Sequence, residues 1–177
     1  NGNEKYSVNI YNLERKLIIT GKLTVLTGMH IGGSTENVSI GDVDNPVIRK
    51  TLDQQPYIPG SSLKGKMRSL LQIAAGEEKE NQTGSEICTL FGSSDDSRNK
   101  KDGNPSRIIV RDAYLDPKSE KELRESENTD MPYTEIKFEN RIDRIKGKAE
   151  HPRQSERVPA GAVFNLSFVI NQFKDDN

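Results

Sequence analysis

The sequence predicts an α+β fold, and three stretches carry that prediction. From Lys16 to Thr27, Leu17, Ile19, Leu23 and Val25 take odd positions against Ile18, Thr20, Lys22 and Thr24, mostly the period of a strand with one packed face. Leu63, Met67, Leu70, Leu71 and Ala74 recur at helical spacing and make a core stripe. Phe164, Leu166, Phe168 and Ile170 alternate with Asn165, Ser167 and Val169, a strand with one strong core face.

The elements follow in order. Residues 1–15 are polar with scattered Tyr, Val and Ile, and fit a first strand or an arm equally. Gly28 ends the strand that follows, and residues 32–45 are rich in Gly, Ser, Asn and Asp, hence a loop. Pro59-Gly60 breaks the short apolar piece Tyr57-Ile58, and Ser61 or Ser62 is the expected N-cap of the helix, which Gly76 and the charged residues 77–80 close. A second helical piece holds Ile87, Leu90 and Phe91 before Gly92. Residues 93–106 are Ser-, Asp-, Asn- and Lys-rich and read as a mobile insertion; Ile108–Val110 reads as a buried strand. Residues 112–132 read as a second mobile, solvated insertion, with seven acidic and three basic side chains between 112 and 130. Residues 137–157 reverse that balance, seven basic against four acidic, in an extended pattern.

Composition bounds the rest. A chain of 177 residues fits one domain spanning 1–177. With 32% hydrophobic and 30% charged residues, long solvated loops should surround a small core. A net charge of −1 excludes a bulk basic field, so binding to nucleic acid would need local patches. The single cysteine, Cys88, excludes an internal disulfide and fits a reducing cytoplasm. No apolar run approaches the roughly 18 residues of a membrane span, so a soluble, cytoplasmic chain without membrane contact is expected.

Several residues suggest chemistry. Gly60-Ser61-Ser62 opening a helix, with Lys64, Lys66 and Arg68 behind it, is a candidate anion site, because unpaired backbone N–H groups and the positive helix end meet cationic side chains. An ordinary Ser-capped helix with a wet basic face accounts for the same residues, and the spacing is not that of a P-loop. Asp42 and Asp44, two apart in an extended loop, project to one side and suit Mg²⁺ or a lone carboxylate beside a phosphodiester. Asp44-Asn45-Pro46 is equally a good turn sequence. Glu36 is a third, weaker carboxylate of that loop. His30, after a strand and before Gly32-Gly33, fits a phosphate donor, a base-stacking group or a strand-end histidine. His151 lies in the basic stretch and reads as solvated. Two His and one Cys are too few for a zinc site, and no motif supports a Ser-His-Asp or Cys-His nucleophile. Phe138 and Ile142, interleaved with Arg141, Arg144, Lys146 and Lys148, suit a nucleic-acid backbone with an apolar wedge, or else a charged exposed hairpin.

Six segments resemble one family in order and spacing. They are His30-Ile-Gly-Gly33, Gly41-Asp-Val-Asp-Asn-Pro-Val-Ile-Arg49, Tyr57-Ile-Pro-Gly-Ser-Ser-Leu-Lys-Gly-Lys-Met-Arg68, Leu90-Phe-Gly-Ser-Ser94, Tyr133-Thr-Glu-Ile-Lys-Phe-Glu-Asn140 and Pro152-Arg-Gln-Ser-Glu-Arg-Val158. Together they are similar to the repeated backbone subunits of type III-A (Csm) CRISPR interference complexes, within the repeat-associated mysterious protein (RAMP) superfamily. The Pro-Gly-Ser-Ser-x-Lys-Gly block is common to RAMP proteins; its combination with Asp-x-Pro-Val and Pro-Arg-Gln-x-Glu-Arg is far more specific.

The resemblance implies a modified ferredoxin-like, RNA-recognition-motif-like core with long loop insertions. A β-hairpin thumb would lie in residues 134–157 and interrupt a guide–target duplex at regular intervals. The implied partners are a CRISPR RNA guide, target RNA, copies of the same chain along the guide and other subunits of the complex. His30, Ser61, Ser62, Lys64, Lys66, Arg68, Arg141, Arg144 and Arg153 would contact RNA. Asp44 falls on the family's acidic position implicated in cutting target RNA, with Mg²⁺ or another divalent cation, and Asp42 is a weaker ligand candidate. The implied reaction is endonucleolytic: a target 2′-hydroxyl attacks its adjacent phosphate, leaving a cyclic phosphate and a 5′-hydroxyl. The alternative is an inert RNA-binding scaffold of the same complex. A guide-processing RAMP endonuclease would need a His or Tyr cluster that the sequence lacks. Relatives continue past the last strand into a helix and a glycine-rich segment, so the C-terminal part of the family fold is expected to be missing here or disordered.

Overall fold

The computed structural model describes residues 12–33, 43–77, 85–93, 105–142, 145, 147, 149–174 and 176, and of residues 141, 142 and 149–152 the backbone alone. The elements run β1 (Leu13–Thr24), β2 (Tyr57–Ile58), α1 (Gly60–Ala75), α2 (Glu86–Phe91), β3 (Ile108–Val110), β4 (Ala113–Leu115), α3 (Pro117–Arg124), β5 (Glu135–Ile142), β6 (Ala149–Arg157) and β7 (Val163–Phe173). One sheet has the order β1-β7-β4-β2, with β3 also pairing β7; β5 and β6 form a separate antiparallel hairpin. This is the α+β class expected from the periodicities.

The chain divides into two compact units. The larger holds residues 20–63 and 111–167. Its core cluster is Val25, Ile58, Ala113, Leu115, Tyr133, Val158, Ala162 and Phe164. There Tyr57 pairs with Tyr114 and Leu115 with Phe164, so Ile58, Leu115 and Phe164 are buried while Tyr114 stays 45% exposed. The other unit holds residues 1–19, 64–110 and 168–177. It buries Cys88, Phe91, Ile108 and Val169, with Ile109 opposite Val169 in the β3–β7 ladder.

The pairing with β7 slips by one residue between Val110, opposite Phe168, and Tyr114, opposite Asn165. Such a bulge re-aims a side chain. Asp112 lies in it, and its Oδ1 accepts the Gly60 N–H at 2.7 Å. The hairpin also shifts register, between Glu139 and Arg141.

Several expectations need correction. The first strand covers Leu13–Thr24, earlier than predicted. Helix α1 begins at Gly60, with Leu63 N–H bonded to Pro59 C=O at 3.1 Å, so Ser61 and Ser62 lie in its first turn and neither is the N-cap. Leu70 and Leu71, assigned to a core stripe, are 52% and 44% exposed. In β7, Val169 is buried where the alternation favoured Phe168 and Ile170. Residues 112–130, read as a solvated excursion, contain β4 and α3. Asp116 caps that helix, accepting from Lys118 N–H at 3.1 Å, and Pro117 occupies the first turn. Most of the expected 93–106 insertion lies outside the described residues.

Candidate nucleic-acid interface and the Asp44 segment

The site is built on strand β6. The segment Met29–Gly33 joins it through a mutual pair of backbone bonds, Met29 N–H to Val158 C=O at 2.9 Å and Val158 N–H to Met29 C=O at 2.7 Å. The same segment holds residues 46–48 on its other side. Gly33 N–H donates to Pro46 C=O and Ile48 N–H to Ile31 C=O, each at 2.9 Å. A Cβ at Gly33 would stand 3.0 Å from the Val47 carbonyl oxygen, so this close approach favours glycine.

Asp44 and His30 both reach β6. The exposed Asp44 carboxylate accepts the Gln154 N–H through Oδ2 at 3.0 Å. Next to it, Asn45 N–H donates to Gln154 C=O at 3.2 Å, and Glu156 N–H donates to Asn45 C=O at 3.0 Å. The His30 Nδ1 lies 2.7 Å from the Glu156 carbonyl oxygen. A carbonyl only accepts, so Nδ1 carries a proton and donates to it. The structure therefore brings His30 and Asp44 to main-chain groups two residues apart on one strand.

Beneath them lies a polar hub that local sequence patterns did not reveal. Glu156 is 1% exposed and Thr134 fully buried. Glu156 Oε2 accepts the Val47 N–H at 2.7 Å; Oε1 accepts the Thr134 hydroxyl at 2.6 Å and pairs with Arg49. The Arg49 guanidinium also donates to Thr134 Oγ1 at 2.9 Å, Gln54 C=O at 2.7 Å and Pro132 C=O at 3.3 Å. Gln54 and Tyr133 are the two non-glycine residues with positive φ among the described residues, at 57° and 71°. Both sit in the loops that offer Arg49 its acceptors. The sequence signal for this hub was faint: one acidic residue between Gln154 and Val158, flanked by arginines.

The remaining predicted residues are placed separately. Ser61 and Ser62 are exposed in the first turn of α1, whose Gly60 N–H already has the Asp112 carboxylate. Lys64 is partly buried and directs its ammonium at Ser106 Oγ (2.6 Å) and Ile108 C=O (3.3 Å). Burial first, and the Arg68 guanidinium second, hold that ammonium below the ordinary lysine value. Lys66 is exposed, and Arg68 contacts Cys88 Sγ at 3.9 Å. Arg153 is exposed on β6 opposite Glu139. Arg141 is placed by its backbone in β5, while Glu36, Asp42 and Arg144 lie outside the described residues.

For a divalent cation, Asp44 is the carboxylate that the described part of this segment offers, with one oxygen on the Gln154 N–H. Among the described residues no cluster of three His, Cys, Asp or Glu could hold a metal. One carboxylate together with phosphate oxygens of a bound RNA is a recognised way to hold Mg²⁺, and the exposed Asp44 fits that mode.

Comparison with known proteins decides the family. The RAMP superfamily profile matches residues 22–177. The chain belongs to the RAMP superfamily. It is 44% identical over 176 residues to the CRISPR system Cms endoribonuclease Csm3 of Methanocaldococcus jannaschii, covering 93% of this chain and 66% of that one. It is also 44% identical over 160 residues to the Csm3 endoribonuclease of Enterococcus italicus, covering 88% and 71%. The chain thus spans about two thirds of the length of these relatives. A crystal structure of a Csm3-Csm4 subcomplex in the type III-A CRISPR-Cas interference complex aligns with TM-score 0.53 and 33% identity, over 93% of this chain and 59% of that one. A type III-B Cmr-beta complex bound to cognate target RNA aligns with TM-score 0.59 and 17% identity, over 89% and 47%, a likeness of fold alone. Among the described residues, no helix is long and apolar enough to cross a membrane.

Proposed function

We propose that this chain is a repeated, guide-binding backbone subunit of a cytoplasmic type III-A CRISPR effector, and that it cuts guide-complementary target RNA at regular intervals. The observation that supports this most is the match to Csm3 proteins named as endoribonucleases, 38–44% identical over most of this chain. The hairpin of β5 and β6 supports the thumb role: Phe138 is 69% exposed on β5, and Arg153 stands on the paired strand. An exposed aromatic among cations suits insertion beside stacked bases while the cations meet phosphate. Lys66, Ser61 and Ser62 then contact guide backbone.

In the cutting step the target 2′-hydroxyl oxygen bonds to the adjacent phosphorus, the bond to the 5′-oxygen breaks, and a cyclic phosphate and a 5′-hydroxyl result. The 2′-hydroxyl loses its proton and the departing 5′-oxygen gains one. Distortion of the duplex by the hairpin supplies in-line geometry, a positioning effect. Asp44 provides a fixed carboxylate at the site, as proton acceptor or as ligand; a divalent cation, if held there by Asp44, would supply positive charge for the phosphate.

One observation favours a second reading. The Asp44–Gln154 bond also suits a structural staple in an inert scaffold. Asp44→Asn separates the two, because the amide oxygen keeps the bond and loses the charge. The complex assembled with guide RNA is incubated with labelled matching target and Mg²⁺. Cutting at regular intervals by wild type, with Asp44→Asn binding target equally and leaving it whole, supports the nuclease. Equal cutting by both, or by neither, supports the scaffold.

A further inference from the structure

We infer that Glu156 is a positioning residue for target-RNA cutting, acting through the Asp44 segment; this rests on the nuclease reading above. Its side chain is buried and cannot itself meet RNA, yet each oxygen has a separate task. Oε2 accepts the Val47 N–H, three residues after Asp44, while Oε1 gathers Thr134 and Arg49. The backbone of Glu156 serves the same end: its N–H holds the Asn45 carbonyl and its C=O holds His30. One residue thus fixes the segment carrying Asp44 by both main chain and side chain, and fixes His30 as well.

The geometry implies a chain of constraint from the hairpin to the carboxylate. Asp44 itself is exposed, in a stretch joined to its neighbours by isolated bridges and not by a continuous ladder. Its rotamer depends on where the Gln154 N–H lies relative to residues 43–47. The Glu156 carboxylate bonds that segment two residues along the same strand, so loss of the bond frees Asp44 to drift. Misplacement of a reacting group by about 1 Å slows a reaction about 100-fold. Thr134, a hydroxyl that accepts from Arg49 and donates to Glu156, holds the carboxylate in the required orientation.

The test uses the complex assembled with guide RNA, measuring guide content, target affinity and single-turnover cutting for wild type, Asp44→Ala, Glu156→Gln, Thr134→Val and Thr134→Ser. The expected result is that Glu156→Gln retains guide and binds target within about twofold but cuts about 10- to 100-fold more slowly. Thr134→Val slows cutting in the same sense and Thr134→Ser restores it, a rescue that mere loss of stability would not give. Should Glu156→Gln fail to assemble, the Thr134 pair decides alone. Wild-type cutting by Glu156→Gln and Thr134→Val, beside an inactive Asp44→Ala, overturns the positioning role and leaves the nuclease reading standing. Wild-type cutting by Asp44→Ala overturns both.

Discussion

Arg49→Ala probes the polar hub at its charge pair. The Arg49 side chain is 17% exposed and its partner Glu156 only 2%, so removing the guanidinium leaves a carboxylate almost sealed from water. Breaking a buried pair by deleting one partner costs about 3–5 kcal/mol. Here the carboxylate keeps the Val47 N–H and the Thr134 hydroxyl, and water reaches part of the vacated space. Those residual partners place the loss near the lower end, about 3 kcal/mol. At about 2–4 °C per kcal/mol for a chain of this size, the melting temperature should fall by about 6–12 °C. In urea, with a slope of about 1–3 kcal/mol per molar, the midpoint should move by about 1–3 M. Tyrosine fluorescence reports it without interference, since the chain has five Tyr and no Trp. Arg49→Met combined with Glu156→Leu should not recover the loss, because the buried Val47 N–H and Thr134 hydroxyl would then lack their carboxylate partner, each worth about 1–3 kcal/mol. A loss below about 1 kcal/mol for Arg49→Ala, the range of surface ion pairs, would refute the reasoning.

Three further outcomes are expected. Gly33→Ala should lower the midpoint in the same urea assay and slow target cutting, because the new Cβ would press on the Val47 carbonyl oxygen at 3.0 Å, and that backbone would have to give by a few tenths of an ångström. Lys66→Ala should reduce the salt slope of guide binding by about one unit of log K per log salt, while Lys64→Ala should change that slope less, since Lys64 already faces Ser106 and Ile108. The Asp116 carboxyl is held below its ordinary value, first by the bond from Lys22 and then by the Lys118 amide. Its unfolded form binds more protons near pH 4, so stability rises with pH there and this contribution is lost as pH falls through the lowered folded value. Asp116→Asn should keep the cap of α3 and flatten that acid dependence, whereas Asp116→Ala should lose both, as thermal melts between pH 2.5 and 6 would read (about the window around an ordinary Asp).

The legible parts of the fold were those set by local rules. Period-two stretches gave β1 and β7, the turn chemistry of Pro59-Gly60 located α1, and Ile87 to Phe91 gave α2. Helix α3 was missed because few apolar residues mark it, although Asp116-Pro117 is a good helix-start signal. The α1 start was misplaced because its first N–H is satisfied by Asp112, 52 residues along the chain, and no local pattern contains that partner. The site divides in the same way. Asp44 and His30 stood out locally as candidates and motif resemblance chose among their roles, but their dependence on β6 was not legible. Arg49 and Glu156 are 107 residues apart, and each looks like an ordinary surface charge in its own window.

That hub also explains why a charge pair, and not an apolar plug, lies beneath the Asp44 segment. The backbone converging there is irregular: residues 43–49 meet β6 at the isolated Asn45–Ser155 bridge, and the turns at 51–55 and 131–134 reach the hub through the Arg49 guanidinium. Irregular backbone leaves carbonyl and N–H groups that no ladder satisfies, and buried groups of that kind require partners. A guanidinium offers five donors in a fixed plane, and a carboxylate offers acceptors on two oxygens. Arg49 answers the carbonyls of Gln54 and Pro132, and Glu156 answers the Val47 N–H. An apolar replacement of equal volume would fill the space and leave the buried Val47 N–H and Thr134 hydroxyl without the Glu156 carboxylate. The hub therefore does by hydrogen bonding what the Phe164 cluster does by packing elsewhere in the same unit. It does so where the chain must remain open enough to present Asp44 at the surface.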